Sequence, residues 1–309
     1  MRCKLLMLIA AVGLIASAIA DAAGTAGPVD SGKPQALPEV TVLAQLKLEP
    51  KVLSFVDGIV AVESNEELAR WNAAVCPLVS GLPRAEGEFL LGRVSEIARA
   101  AAVPLAGEKC HPNLFVFVTN HPKELAQDLD QHHHSVVFAN ATPLDVAQFI
   151  DTPRPVRVWY STYTAVPGSV VGPIGGPPTP DVQVLGAGMV SNPTYYGPGM
   201  LGSSHVDTQF TWSFSYVYVL IDQRQLHGMS RGQLADYVAM VSLAEIKPNA
   251  HTGNTQSILT LFADGPQASP AGVSSWDQAF LKSLYVTDQA SRLQRQLITR
   301  SMARELVPQ

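Results

Sequence analysis

Two apolar runs do most to limit what this chain can become. Leu114–Thr119 (LFVFVT) is nearly continuous apolar sequence of strand length, and Trp212–Asp222 (WSFSYVYVLID) begins with alternation and then turns wholly apolar. A strand that shows one face to water alternates, whereas a strand covered on both faces need not. Both runs therefore require a sheet with cover on each side.

Segments with helical periodicity can supply that cover. Residues 86–102 place Leu90, Val94, Ile97, Ala98 and Ala101 on one helical face, and Pro104 stops the helix. With Ala73–Val79 read as a strand before it and Leu114–Thr119 after it, this order predicts a right-handed crossover. Val52–Phe55 and Ile59–Val62 flank Asp57-Gly58 and read as a hairpin. Thr142, Pro143 and Asp145 open a short helix to Ile150, between strands expected at Val136–Phe138 and Val156–Tyr163. In the second half Ser230 and Gln233 form a capping box before Leu234–Ile246. That helix is apolar on nearly every face, which predicts burial; Lys247 and Pro248 close it. Ser275–Val286 spaces Trp276, Phe280 and Leu284 four apart. A last amphipathic helix after Asp288 sets Leu293 and Leu297 against Arg292, Arg295 and Arg300. The fold class expected is α+β, a mixed sheet packed against helices.

Three stretches stand outside this pattern. Residues 1–20 have the parts of a signal peptide: Arg2 and Lys4, an apolar Leu5–Ile19, and Ala18-Ile19-Ala20 before Asp21. Residues 21–38 are rich in Ala, Gly and Pro and read as a linker. Residues 166–205 carry Pro167, Pro173, Pro177, Pro178, Pro180, Pro193 and Pro198 with many glycines, a composition that sustains neither helix nor central strand. The expected organisation is one α+β domain over 39–309, interrupted by this long Pro/Gly-rich loop. Arg, Asp, Gly and Pro break every later apolar stretch, so no transmembrane segment is expected once the signal is removed. Export would also remove Cys3 and leave Cys76 and Cys110, which in an oxidising compartment pair as a disulfide. The expected location is the periplasm or the exterior.

Composition excludes two classes of function. With 47% hydrophobic residues and 15% charged, the chain is unlike a disordered one. With a net charge of −5, it lacks the basic surplus of a nucleic-acid binder.

Three motifs suggest catalysis, and each has a plainer explanation. Gly228-Met229-Ser230-Arg231-Gly232 matches the G-x-S-x-G nucleophile elbow between a strand and a helix. Gln223–His227 separate it from the strand, however, and His251 is the only histidine after Ser230, which already serves as a helix cap. His132, His133 and His134 could bind a transition metal weakly, but in extended chain adjacent side chains diverge; they read as a polar turn. Gly197-x-Gly199-x-x-Gly202 contains Pro198 and precedes no helix, so it is no dinucleotide site. No cofactor is expected.

The order of helix Leu234–Ile246, then Ser257-Ile258-Leu259, then Ser275–Tyr285 with Asp277 near its start and Leu284-Tyr285 at its end resembles the C-terminal part of matrixin-type zincins. Trp71 before the first strand, the long helix, and Asn113 opening an apolar strand are similar to their N-terminal part, and to exported proteobacterial proteins with this order of elements. The resemblance covers about residues 68–288. It implies a zincin-like architecture, yet the helix lacks H-E-x-x-H. Ala235-Asp236-Tyr237-Val238-Ala239 puts Asp236 at the catalytic glutamate, and the register one residue on puts it at a ligand. Asp236 with a distant His251 does not make the three protein ligands that catalytic zinc needs. A degenerate, non-catalytic protein acting by binding is expected. Its contact surface would be loop 166–205, with Tyr195, Tyr196 and Met200, against a protein or cell-envelope partner. The alternative is a serine hydrolase using Ser230.

Overall fold

The computed structural model describes residues 39–62, 66–139, 141–165 and 211–307. The expected signal peptide 1–20, linker 21–38 and loop 166–205 lie outside them. In chain order the elements are α1 (Glu39–Ile59), β1 (Pro77–Ser80), α2 (Arg84–Ala100), β2 (Leu114–Thr119), α3 (Pro122–Val137) and α4 (Pro143–Asp151). Then come β3 (Val156–Ala165), β4 (Thr211–Asp222), α5 (Arg231–Leu243), α6 (Ser275–Val286) and α7 (Gln294–Leu306). Short 3-10 turns at Gln223–Gln225 and Ile258–Thr260 flank α5.

The strands form one mixed sheet in the order β1-β2-β4-β3. β1, β2 and β4 are parallel, and β3 runs antiparallel along the outer side of β4. The two apolar runs are therefore the central strands, in register from Leu114 opposite Val217 to Thr119 opposite Asp222. Alternation divides their side chains between two cores. Leu114, Val116, Val118, Val217, Val219 and Ile221 pack with side chains of α2 and α5. Phe115, Phe117, Tyr218 and Leu220 pack with α3 and α4 on the other face. Helices on both faces remove the need for a polar side, so the apolar composition and the α+β class have one cause. Among the described residues no helix is long and apolar enough to cross a membrane.

Capping is local and follows the sequence. Thr142 and Asp145 close a reciprocal box at α4, Ser230 and Gln233 at α5, and Ser274 and Asp277 at α6. The Cys76–Cys110 disulfide is present, with Cα atoms 6.0 Å apart. It ties the entry of β1 to the segment before β2, and Asn113 reinforces the junction by accepting the Cys76 N–H at 2.7 Å.

Several expected elements differ. The Val52–Phe55 and Ile59–Val62 hairpin does not form: Val52–Phe55 and Ile59 belong to the last turns of α1, and Val60 beyond it makes an isolated bridge to Ile246. Val52, Phe55, Val56 and Ile59 fall on one helical stripe, each at most 2% exposed. Gly58 serves a close approach rather than a turn: a Cβ there would overlap the His251 carbonyl oxygen, and Gly58 O accepts the His251 N–H at 2.8 Å. Val136–Phe138 is no strand, because α3 runs through Val137 and buries Val137 and Phe138 in the second core. β1 is four residues long, while Val75 only bridges Leu105. α5 ends at Leu243, and Ile246 lies beyond it, bridged to Val60. On α7 the inward face is Ile298, Met302 and Ala303, whereas Leu293 is 44% exposed and Arg295 pairs with Asp57 at 2.6 Å.

Candidate functional site

The resemblance directs attention to α5, a helix with ten buried residues between the sheet and the C-terminal helices. At its start the Ser230 Oγ accepts the Gln233 N–H at 3.1 Å, and Gln233 Oε1 accepts the Ser230 N–H at 3.1 Å. The same glutamine donates through Nε2 to Pro266 O at 2.8 Å and Pro270 O at 3.1 Å, which pins the following loop. Of the two glycines of G-x-S-x-G, one has a backbone reason to be glycine. Gly228 has φ +77°, which favours glycine, whereas a Cβ at Gly232 would make only ordinary contacts, with the Ser230 hydroxyl at 3.8 Å.

One turn on, the Asp236 side chain is 1% exposed and meets Arg93 of α2 in a two-pronged ion pair. Nε reaches Oδ1 at 2.6 Å and Nη2 reaches Oδ2 at 3.0 Å. Oδ2 also accepts the Val273 N–H at 2.7 Å. The hydrogen bond to Asp236, then that to Glu96, raises the Arg93 pKa above its ordinary value. Gly272 leaves space for this carboxylate, since a Cβ there would overlap Oδ2. Asp236 thus joins α2, α5 and the entry to α6, with Oδ1 facing a guanidinium and Oδ2 holding two donors.

At the far end the last carbonyls of α5, which have no partner inside the helix, are met by aromatic donors. Tyr160 OH of β3 donates to Val241 O at 2.8 Å, Trp71 Nε1 to Ser242 O at 2.8 Å, and Tyr285 OH of α6 to Leu243 O at 2.7 Å. Burial raises the phenol pKa of both Tyr160 and Tyr285. Glu245 follows directly; burial raises its carboxyl to about 7, opposed by the Ala69 N–H it accepts and assisted by the charge of Glu66. Below α5, the Ser257 Oγ donates to Asp277 Oδ1 at 2.5 Å, while Oδ2 accepts from Ile258 N and Ser274 N at 2.9 Å each. Asp277 is fully buried, which raises its pKa against those hydrogen bonds.

The sequence-derived candidates are thus dispersed. Among the described residues no hydrogen bond or ion pair joins any two of Ser230, Asp236 and His251, and His251 is exposed, anchored by its backbone to Gly58. His132, His133 and His134 lie on α3, not in a turn. The rings of His132 and His134 face Asp128 at 3.0 Å and Asp130 at 2.7 Å, one helical turn back, and His133 sits at a kink with φ −131°. Among the described residues no cluster of three or more His, Cys, Asp or Glu is placed to hold a metal ion. The sequence reading missed Glu245 and the aromatic caps. Their signal is weak in one dimension, because each acts on backbone groups distant in the chain. Compared with protein-family models, curated proteins and solved structures, the chain has no significant match.

Proposed function

We propose that this is an exported zincin-like protein without peptidase chemistry, a pseudoenzyme that acts by binding. The observation that carries the reading is the engagement of Asp236 by Arg93 and the Val273 N–H. In the register that puts Asp236 at the glutamate of H-E-x-x-H-x-x-G-x-x-H, Ala235 and Ala239 take the first two ligand positions. Ser242 takes the glycine and Glu245 the third ligand. Two methyl groups cannot hold an ion. A carboxylate locked to a guanidinium is not poised to take a proton from water.

Further support comes from the sheet and the helices. Three parallel strands with an antiparallel outer strand, α2 and α5 on one face, and the Ser257 turn bonded to Asp277 all suit the architecture that the resemblance implies. The Cys76–Cys110 bond suits an oxidising compartment. Metal analysis of untagged protein tests the reading, together with a fluorophosphonate probe for serine nucleophiles. Substoichiometric zinc and no labelling are expected. Stoichiometric zinc overturns the reading, as does labelling that Ser230→Ala abolishes.

A further inference from the structure

The topology opens a crevice that this reading does not use. α2 and α5, which follow β1 and β4, cover one face of the sheet, whereas α3, which follows β2, covers the other. The chain therefore leaves the adjacent ends of β2 and β4 toward opposite faces, the switch point at which open α/β sheets hold ligands. A cavity of ≈ 410 Å³ lies there, lined by residues just after β2, just before β3 and at the end of β4. That volume lies within the range of small-molecule sites, roughly 300–1,000 Å³.

Two independent features make the crevice receptive to an anion. The first is the start of α3. His121 supplies no side-chain cap and Pro122 has no N–H, so the Lys123 and Glu124 amides open the helix without a partner in it. The second is Arg157, which is 6% exposed and lines the cavity. Its Nε donates to Phe149 O at 3.1 Å, one of the last carbonyls of α4, and its Nη1 reaches Arg154 O at 3.5 Å. Among the described residues its Nη2 has no acceptor, and no carboxylate lies within ion-pair distance of Arg157 or Arg154. Burial lowers the Arg157 pKa, and the charge of Arg154 lowers it further, against Asp222 and Glu124. Neither acid lies within ion-pair distance of Arg157 or Arg154. Asp222 is taken by Arg224 at 2.9 and 2.8 Å, and exposed Glu124 lies 3.8 Å from His121. Lys123 is held by Asp151 at 2.7 Å.

We infer that this crevice binds a phosphate group, with the guanidinium groups of Arg157 and Arg154 and the first amides of α3 as its donors. Guanidinium forks and helix N-termini both match phosphate oxygens. The inference goes beyond the proposed function and needs from it only that the protein acts by binding. Its source is either free phosphate or the head of a small phosphate monoester.

Titration calorimetry at low ionic strength, with the whole disulfide-bonded protein, tests it using inorganic phosphate, glycerol 3-phosphate and glycerol. Saturable binding of a phosphate and none of glycerol is expected. Tighter binding of the monoester assigns the remaining volume to an organic part, and tighter binding of inorganic phosphate assigns free phosphate. Arg154→Gln, whose side chain holds no described neighbour, should weaken binding tenfold or more without moving Tm. No saturation by either phosphate overturns the inference, as does unchanged affinity in Arg154→Gln. Either result leaves the zinc and fluorophosphonate outcomes untouched.

Discussion

Arg93 and Asp236, 143 residues apart in the chain, form a two-pronged ion pair that clamps α2 onto α5. The partners are unequal: the aspartate side chain is 1% exposed and the arginine 30%. Removing the arginine therefore strands a buried carboxylate, whereas removing the acid frees a guanidinium that reaches water. Arg93→Met is expected to destabilise the fold by roughly 3–5 kcal/mol, the usual result of breaking a buried pair from one side. Asp236→Asn, whose amide oxygen still accepts the Val273 N–H, should cost less. Urea unfolding of the two variants checks the order, and equal losses would refute it.

The disulfide closes a loop between Cys76 and Cys110 over a sequence separation of 34. Cross-linking a loop of that length removes unfolded-state entropy amounting to roughly 3–4 kcal/mol. The double variant Cys76→Ala/Cys110→Ala should lose most of this, and reductant should lower the Tm of the native protein but not that of the variant. Asn113 holds both backbone groups at the junction, accepting from Cys76 N and donating to Ala74 O. Circular dichroism of the variant should therefore match the native spectrum below its transition.

Much of this architecture is legible in the sequence because it depends on neighbours. Caps at Thr142 and Ser230 need only a partner three residues on, and the composition of β2 and β4 reports cover on both faces. What escapes notice depends on distant chain. Asp57-Gly58 has the local chemistry of a turn, but Val52, Phe55, Val56 and Ile59 follow the helical period, and Gly58 is small because the His251 carbonyl passes over it. The histidines 132–134 look like a turn until Asp128 and Asp130 are seen one helical turn before two of them. At the candidate site Asp236 is conspicuous in an apolar helix, yet its role depends on Arg93 in another element. Arg157 was invisible for the same reason: its meaning lies in the carboxylate it lacks.

Glu245 gives the protein a stability that depends on pH. Burial raises its carboxyl from 4.5 to about 7. Between those values the folded chain holds the proton more tightly than the unfolded chain, so this residue's contribution falls as pH climbs from 4.5 to 7 and is flat above. A shift of that size corresponds to roughly 3 kcal/mol. Glu245→Gln keeps an acceptor for the Ala69 N–H and removes the charge. It should be nearly neutral at pH 4 and stabilising at pH 8, by up to that amount. Unfolding curves at the two pH values check this, and a variant no more stable at pH 8 than at pH 4, relative to wild type, would contradict it.

Tyr160 tests whether the aromatic caps hold the end of α5. Its hydroxyl donates to Val241 O at 2.8 Å and accepts the Ile246 N–H at 3.1 Å, so one oxygen joins the last turn of the helix to the chain leaving it. The ring also stacks on Phe214 with centroids 5.5 Å apart, a contact that phenylalanine would keep. Tyr160→Phe therefore isolates the hydroxyl. With a carbonyl and an amide both left without it in a buried place, the expected loss is about 1–3 kcal/mol. Tyr285→Phe should cost a comparable amount, because its hydroxyl donates to Leu243 O and accepts from Trp71 N. The two hydroxyls serve different carbonyls of one helical turn, so the double variant should depart from additivity. A double-mutant cycle by urea unfolding measures that departure; strictly additive losses would mean that the caps act independently and that the turn does not loosen as a unit.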